Sequence, residues 1–262
     1  MMGDFITAGD GCRIAYRLDG PEAAPVLLLS NSLGTAMEMW APQMPALARS
    51  FRVLRYDSRG HGQSDAPAGA YSMDRLGRDV IELLDALAIP KVRFCGLSKG
   101  GMVGQWLGIR APERLECLVL ANTSPFMGPP SSWDGRIAAV HEGGMAGLVD
   151  AVLERWFTPS FLATGEEQIA PVRAMLTATD PGGYAGCCAA IRDMDMRPML
   201  GLITTPTLVI GGSQDPATPP PHSELLASSI ASARLVMLPA AHLSNVEQAE
   251  AFTGALFDHF AA

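Results

Sequence analysis

Residues 96–100 read Gly96-Leu97-Ser98-Lys99-Gly100, and they stand where the periodicity of the chain changes. Before them, Lys91-Val92-Arg93-Phe94-Cys95 is β-branched and apolar, as a buried strand is. After them, Gly101 to Arg110 carries helical spacing. A G-x-S-x-G motif between strand and helix is a sharp turn that lifts a serine hydroxyl above the sheet edge. Its glycines are required because the inner faces of the turn have no room for side chains. The following helix aims its unpaired N–H groups back at the serine, so the turn also supplies an anion site.

A chain of 262 residues suits one large α/β domain with an insertion better than two independent domains. With 48% apolar residues it can bury a substantial core. The net charge of −8, without any block of like charges, argues against a nucleic-acid surface. Cys95 and Cys117 fall in apolar strand-like runs and read as small core residues. Cys12 and the adjacent pair Cys187-Cys188 complete an odd set with no metal-binding spacing, which fits a reducing compartment. The segment MMGDFITAGD lacks the basic and apolar regions of a signal peptide, and no apolar run approaches membrane-spanning length. The expectation is a cytoplasmic protein without nucleic-acid or membrane partners and without a metal; a homo-oligomer is left open.

Phe5 to Leu18 reads as a hairpin with Asp10-Gly11 as a primed turn. Strands are expected at Pro25–Leu29, Phe51–Tyr56, Leu115–Ala121, Thr207–Ile210 and Arg234–Leu238. Helices are expected at Ala36–Arg49, interrupted by Pro42 and Pro45, at Asp74–Ala88 with Ser72 as N-cap, at Pro221–Ile230 and at Asn245–Phe260. This alternation predicts an α/β fold whose mostly parallel central sheet is covered by helices on both faces. Between residues 124 and 198 the alternation stops, and short helical patterns such as Gly144–Phe157 and Glu166–Leu176 take over. That stretch reads as a helical cap over the strand C-terminal ends, with residues 1–123 and 199–262 forming the core.

A serine becomes nucleophilic only when a base takes its proton, and a carboxylate then orients and stabilises that base. The chain order in this type of fold is serine, acid, histidine. His242 lies in the loop between the last strand and the last helix, and Asp215 follows the strand Thr207–Ile210. The loop after the preceding strand carries Asn122-Thr123-Ser124 and offers no competing carboxylate. Backbone N–H groups of Lys99 and of Leu33, in the loop Asn31-Ser32-Leu33-Gly34, are the expected oxyanion donors. His61, in Asp57-Ser58-Arg59-Gly60-His61-Gly62-Gln63-Ser64, is out of order for the base and reads as structural.

Taken together, the segment Asp57–Ser64 and the motif Gly96–Gly101 make the chain resemble the α/β-hydrolase superfamily over essentially its whole length. A narrower similarity, to bacterial 3-oxoadipate enol-lactonases, is carried by Asn31–Gly34, Gly104-Gln105-Trp106-Leu107-Gly108, Arg155-Trp156-Phe157-Thr158 and Tyr184–Asp193. Lys99 departs from the Met or Gln common in relatives, and its charge bears on an anionic substrate. The resemblance implies hydrolysis of the enol-lactone of 3-oxoadipate, in aromatic catabolism, by Ser98, His242 and Asp215 through an acyl-enzyme, with no cofactor. It also implies a small-molecule anionic lactone whose free carboxylate needs a partner in the cap. Trp133, Arg136, Arg155, Trp156 and Arg192 are the candidates. A general carboxylesterase or lactonase, a carbon–carbon bond hydrolase of the same fold, and a non-enzymatic hydrolase-fold receptor are the competing readings; turnover separates the last from the others.

Overall fold

The computed structural model describes residues 4–261. Its apolar runs become one eight-stranded sheet: β1 (Asp4–Thr7), β2 (Arg13–Asp19), β3 (Val26–Ser30), β4 (Arg52–Tyr56), β5 (Val92–Leu97), β6 (Leu115–Ala121), β7 (Thr207–Gly212) and β8 (Ala233–Leu238). The spatial order is β1-β2-β4-β3-β5-β6-β7-β8. Only β2 runs against the rest, pairing antiparallel with β1 and with β4; from β4 to β8 every pairing is parallel. Leu27, Leu28, Leu29, Phe94, Cys95, Leu118 and Val119 are wholly buried, as side chains covered on both sheet faces must be.

The hairpin forms, but its turn is not the primed one. Ala8 N–H closes on the Cys12 carbonyl at 2.8 Å, and of the loop residues only Gly11 takes a positive φ, 87°. A type I′ turn needs two such residues, whereas a tight turn followed by a left-handed glycine needs one. The expected helix over Ala36–Arg49 is divided by its prolines into a short 3-10 turn, Met37–Trp40, and α1 (Met44–Ser50). Next come α2 (Met73–Ala86), capped as expected by the Ser72 hydroxyl on the Arg75 amide, and α3 (Lys99–Arg110).

Between β6 and β7 lie α4 (Pro130–Gly143), α5 (Val149–Trp156), α6 (Pro159–Thr164), α7 (Glu166–Ala178) and α8 (Pro181–Asp193). The excursion is pinched at its neck by a bridge between Phe126 and Asp195 and by Met196 N–H on the Pro125 carbonyl at 2.8 Å. The core then resumes with α9 (Pro220–Ser229), α10 (Ser244–Glu247) and α11 (Ala249–Phe260). The expected last helix is thus broken at Gln248, whose φ and ψ of −125° and 49° leave the helical region. Helices α2, α3 and α9 cover one face of the sheet, and α1 and α11 the other. Among the described residues no helix is long and apolar enough to cross a membrane.

Candidate active site

The turn at residues 96–100 is tight enough to dictate its own sequence. A methyl group at Gly96 would stand 2.1 Å from the Gly100 carbonyl oxygen, and one at Gly100 would stand 2.1 Å from the carbonyl oxygen of Ser30. Ser98 sits at φ 58° and ψ −116°, a conformation that side-chain-bearing residues rarely hold. Three bonds fix it there: its N–H to the Ala121 carbonyl at 2.9 Å, and its carbonyl to the Met102 amide at 3.0 Å and the Thr123 hydroxyl at 2.7 Å. The strain is held by the sheet and the helix together, and it presents Ser98 at the C-terminal edge of β5.

Asp215 and His242 stand beyond the ends of the next strands. His242 Nδ1 lies 2.8 Å from Asp215 Oδ2. The carboxylate is buried and saturated with donors. Oδ1 accepts the Ala217 and Thr218 amides at 2.8 and 3.0 Å, and Oδ2 accepts the Thr218 hydroxyl at 2.7 Å and the Asn122 amide group at 3.1 Å as well. Burial alone would raise its pKa, but the His242 charge and hydrogen bond, with the Thr218 donors, hold it below the ordinary 3.8. A carboxylate so placed stays ionised and holds the imidazole through Nδ1.

Asn122 and Thr218 were not singled out in the sequence. Asn122 also donates to the Ala241 carbonyl at 3.1 Å and accepts the Ser244 hydroxyl at 2.6 Å, tying the ends of β6, β7 and β8 together. Its φ of 41° lies in the left-handed region, which asparagine adopts more readily than most side-chain-bearing residues. The only sequence signal was a polar Asn-Thr-Ser triplet closing an apolar strand.

A cavity of about 220 Å³ opens over these residues, lined by Ser98, His242, Leu33, Met102 and Thr218 from the core. The stretch 124–198 supplies the opposite wall, including Met127, Ser132, Trp133, Arg136, Arg155, Trp156, Tyr184 and Ile191. That volume is smaller than the ~300–1,000 Å³ of drug-sized pockets, so it suits a small substrate. Arg136 lies over the rings of Trp133 and Tyr184, at 5.5 and 6.0 Å from their centroids. Neither Arg136 nor Arg155 makes an ion pair with a carboxylate among the described residues. Burial and the charge of Arg136 push the Arg155 pKa down from the ordinary arginine value. Two cations in the lining, neither paired with a carboxylate among the described residues, make the cavity receptive to an anion.

Three expectations are corrected by placement. Arg192 does not line the cavity: its guanidinium is taken by Asp134 at 2.8 Å and by both oxygens of Asp193 at 2.7 and 2.9 Å. The Trp133 ring lines the wall, but its N–H is spent on the Met127 carbonyl at 2.7 Å. Lys99 is wholly buried, and its side chain runs into the core instead of toward a substrate. Its amide remains the first of α3, where no intrahelical acceptor exists.

His61 has a definite structural task. Its Nε2 accepts the Gly34 N–H at 2.8 Å, and Nδ1 lies 3.2 Å from the Arg59 carbonyl. Burial and the nearby Lys99 charge keep its pKa well below 6.5, so the ring is neutral and carries its proton on Nδ1. It thereby holds the loop that presents Leu33. Asp57, pushed up to about 6 chiefly by burial, braces the same region by accepting the Met37 and Gln63 amides at 2.7 and 2.9 Å.

A strained serine elbow after β5 and a histidine–carboxylate pair after β7 and β8 border one cavity, and a family model described as alpha/beta hydrolase fold matches residues 25–249. The chain belongs to the α/β-hydrolase family. It is 42% identical to 3-oxoadipate enol-lactonase 2 of Acinetobacter baylyi over 97% of this chain and 94% of that protein. The solved structure of the enol-lactonase from Burkholderia xenovorans superposes with a TM-score of 0.97, at 44% identity, covering 99% of this chain and 100% of that one. A putative carbamate hydrolase, RutD, of Stutzerimonas stutzeri is 35% identical over 94% of this chain and 96% of its own length. With such relatives, this α/β-hydrolase is an enzyme of the carboxylic-ester hydrolase type.

Proposed function

We propose that this hydrolase opens 3-oxoadipate enol-lactone to 3-oxoadipate, a step of aromatic-compound catabolism. The observation that carries the reading is one cavity lined both by Ser98 and His242 and by Arg136 and Arg155, two cations with no carboxylate partner among the described residues. A neutral ester needs no such cations, whereas a lactone bearing a free carboxylate does. The A. baylyi relative, named for this lactone, and the B. xenovorans relative, named an enol-lactonase, support the reading.

In this reading His242 Nε2 takes the proton of Ser98 Oγ as the oxygen attacks the lactone carbonyl. The amides of Leu33 and Lys99 receive the oxyanion. Collapse breaks the ring C–O bond; the leaving enol oxygen takes the proton from His242, and the enol then becomes the ketone. The leaving group remains tethered to the acyl chain, so the acyl-enzyme holds the whole molecule. Water, deprotonated by His242, attacks the Ser98 ester, and its collapse returns the proton to Ser98 and frees the diacid.

The test is a substrate panel on the wild type, Arg136→Met, Arg155→Met and the double variant. The panel holds freshly generated enol-lactone, a neutral lactone of similar size, a p-nitrophenyl ester and a small carbamate. Loss of one charge-assisted hydrogen bond is worth about 1.5–3 kcal/mol, so KM for the enol-lactone should rise roughly 10- to 100-fold in a single variant and KM for the neutral lactone should barely move. Equal effects on both lactones, or turnover of the carbamate but not of the enol-lactone, would overturn the proposal.

A further inference from the structure

The stretch between β6 and β7 walls the cavity, and it also holds the loop that carries His242. Trp156, the last residue of α5, accepts the Leu243 amide on its carbonyl at 3.0 Å. Two residues on, Thr158 meets Glu247, the last residue of α10. The Thr158 hydroxyl donates to Glu247 Oε1, and the Thr158 amide reaches Oε2 at 3.3 Å. The same Oε2 accepts the Ala241 amide at 3.0 Å. Both peptide N–H groups that flank His242 are therefore pinned, one by Glu247 and one by the cap backbone. The His242 ring lies 6.3 Å from the Trp156 ring, inclined by 30°.

Asp215 fixes the His242 ring at Nδ1, but it does not fix the backbone from which the ring hangs. A general base must be held within about 0.5 Å of its working position. We infer that Glu247 is a positioning residue for His242, clasping the loop of the base to the cap segment Arg155–Thr158 so that base and substrate wall keep one register. Glu247 makes no ion pair among the described residues; its carboxylate is spent on donors from two separate parts of the chain. Charged acceptors make the stronger hydrogen bonds, which suits a clasp across two segments. The inference rests on the reading of His242 as base, not on the identity of the lactone.

Glu247→Ala, Glu247→Gln and Thr158→Val, with His242→Ala as reference, test it. A carboxamide can rebuild the clasp, its oxygen taking the two amides and its NH₂ donating to the Thr158 hydroxyl. Since a misplacement of 1 Å costs on the order of 100-fold, E247A should lose roughly 30- to 100-fold in kcat on p-nitrophenyl acetate, with KM changed far less. The far-downfield proton resonance of the His242–Asp215 hydrogen bond should broaden or shift in the unliganded protein, a change that a merely structural residue would not cause. E247Q should recover most of the lost kcat and the resonance, and T158V should show a smaller loss. Wild-type kcat in E247A, or E247Q as impaired as E247A, would overturn the inference. If E247A does not fold, T158V decides: wild-type kcat and an unmoved resonance there would overturn it. An active H242A would instead sink the base assignment itself, and the ester and the resonance are indifferent to whether the lactone is the substrate.

Discussion

Gly60 and Gly183 pack backbone against backbone: a methyl group on Gly60 would stand 2.4 Å from the Gly183 Cα, and one on Gly183 would stand 2.3 Å from the Gly60 Cα. The contact seats the start of α8 on the core loop that carries His61. Beside it, Thr179 donates to the Gly34 carbonyl at 3.2 Å, and a methyl group at Gly34 would stand 2.5 Å from Leu176 Cδ1 and 3.2 Å from the Tyr184 ring. The stretch between β6 and β7 is thus fastened beside the loop of Leu33 and Gly34 at one place and, through Trp156, beside His242 at another.

Gly183→Ala tests that seat. The clash is with backbone, so no rotamer change relieves it, and overpacking of this kind costs about 1–3 kcal/mol. Urea unfolding should show that loss, and kcat/KM should fall because Tyr184, one residue on, lines the cavity. Gly135→Ala, in α4 where the added methyl meets nothing within 4 Å, should instead gain up to about 1 kcal/mol. A G183A protein that unfolds like wild type would show that the seat gives way easily.

Asp215→Asn should lower kcat on the order of 10⁴-fold, because the carboxamide disturbs the tautomer that the carboxylate selects. Asp215 is held ionised below its ordinary pKa of 3.8. The acid limb of the wild-type pH profile of kcat/KM should therefore show no proton uptake by Asp215 above pH 3.8. The sign for stability is also fixed. A carboxylate with a depressed folded-state pKa stabilises fully above 3.8 and loses that contribution as pH falls through its lower folded value. A limb with a slope of two protons would contradict this.

His61→Ala removes the acceptor for the Gly34 amide next to the Leu33 donor. The orphaned amide should cost about 1–3 kcal/mol of stability. Losing one oxyanion donor outright costs 10²–10³ in kcat, so a loosened one should cost about tenfold. Because His61 is neutral throughout the working range, the acid limb of the pH profile should not move. A shifted limb would mean that His61 titrates.

The residues legible in the sequence were those whose roles are local. The serine turn is written in five residues, and Asp215 and His242 follow from chain order and from loops after apolar strands. Arg192 was misread because its direction depends on the rotation of α8, which is buried from Gly183 to Ile191 and so shows no polar face to orient it. Tyr184 and Ile191, seven residues apart, share the cavity face; Arg192 is one residue further, about 100° around the helix, and meets Asp134 outside. Asn122 and Glu247 were not legible because their work is between chain segments far apart in sequence, and Thr218, although only three residues from Asp215, sits in a loop where a threonine carries no signal of its own.

Lys99 follows Ser98 and ends in the core, where its Nζ is buried without a hydrogen-bond partner among the described residues. Burial lowers its pKa, and nearby Cys187 and Asp57 only partly oppose this. In the unfolded chain the amine binds its proton with an ordinary pKa of about 10.4. Below that pH the unfolded state holds the proton more tightly than the folded state does, so Lys99 subtracts from stability, and the penalty fades as pH rises toward 10.4. Met matches the length of the side chain and needs no partner. Lys99→Met should therefore stabilise the protein at pH 7 by roughly 1–3 kcal/mol, the cost of an unsatisfied buried polar group. Asp57 keeps its Met37 and Gln63 amide donors in the variant. Urea unfolding at pH 7 and again near pH 10 measures both parts, and the gain should shrink at the higher pH. A variant no more stable than wild type at pH 7 would show that the amine is well accommodated among Cys187, Asp57 and Asp79 after all.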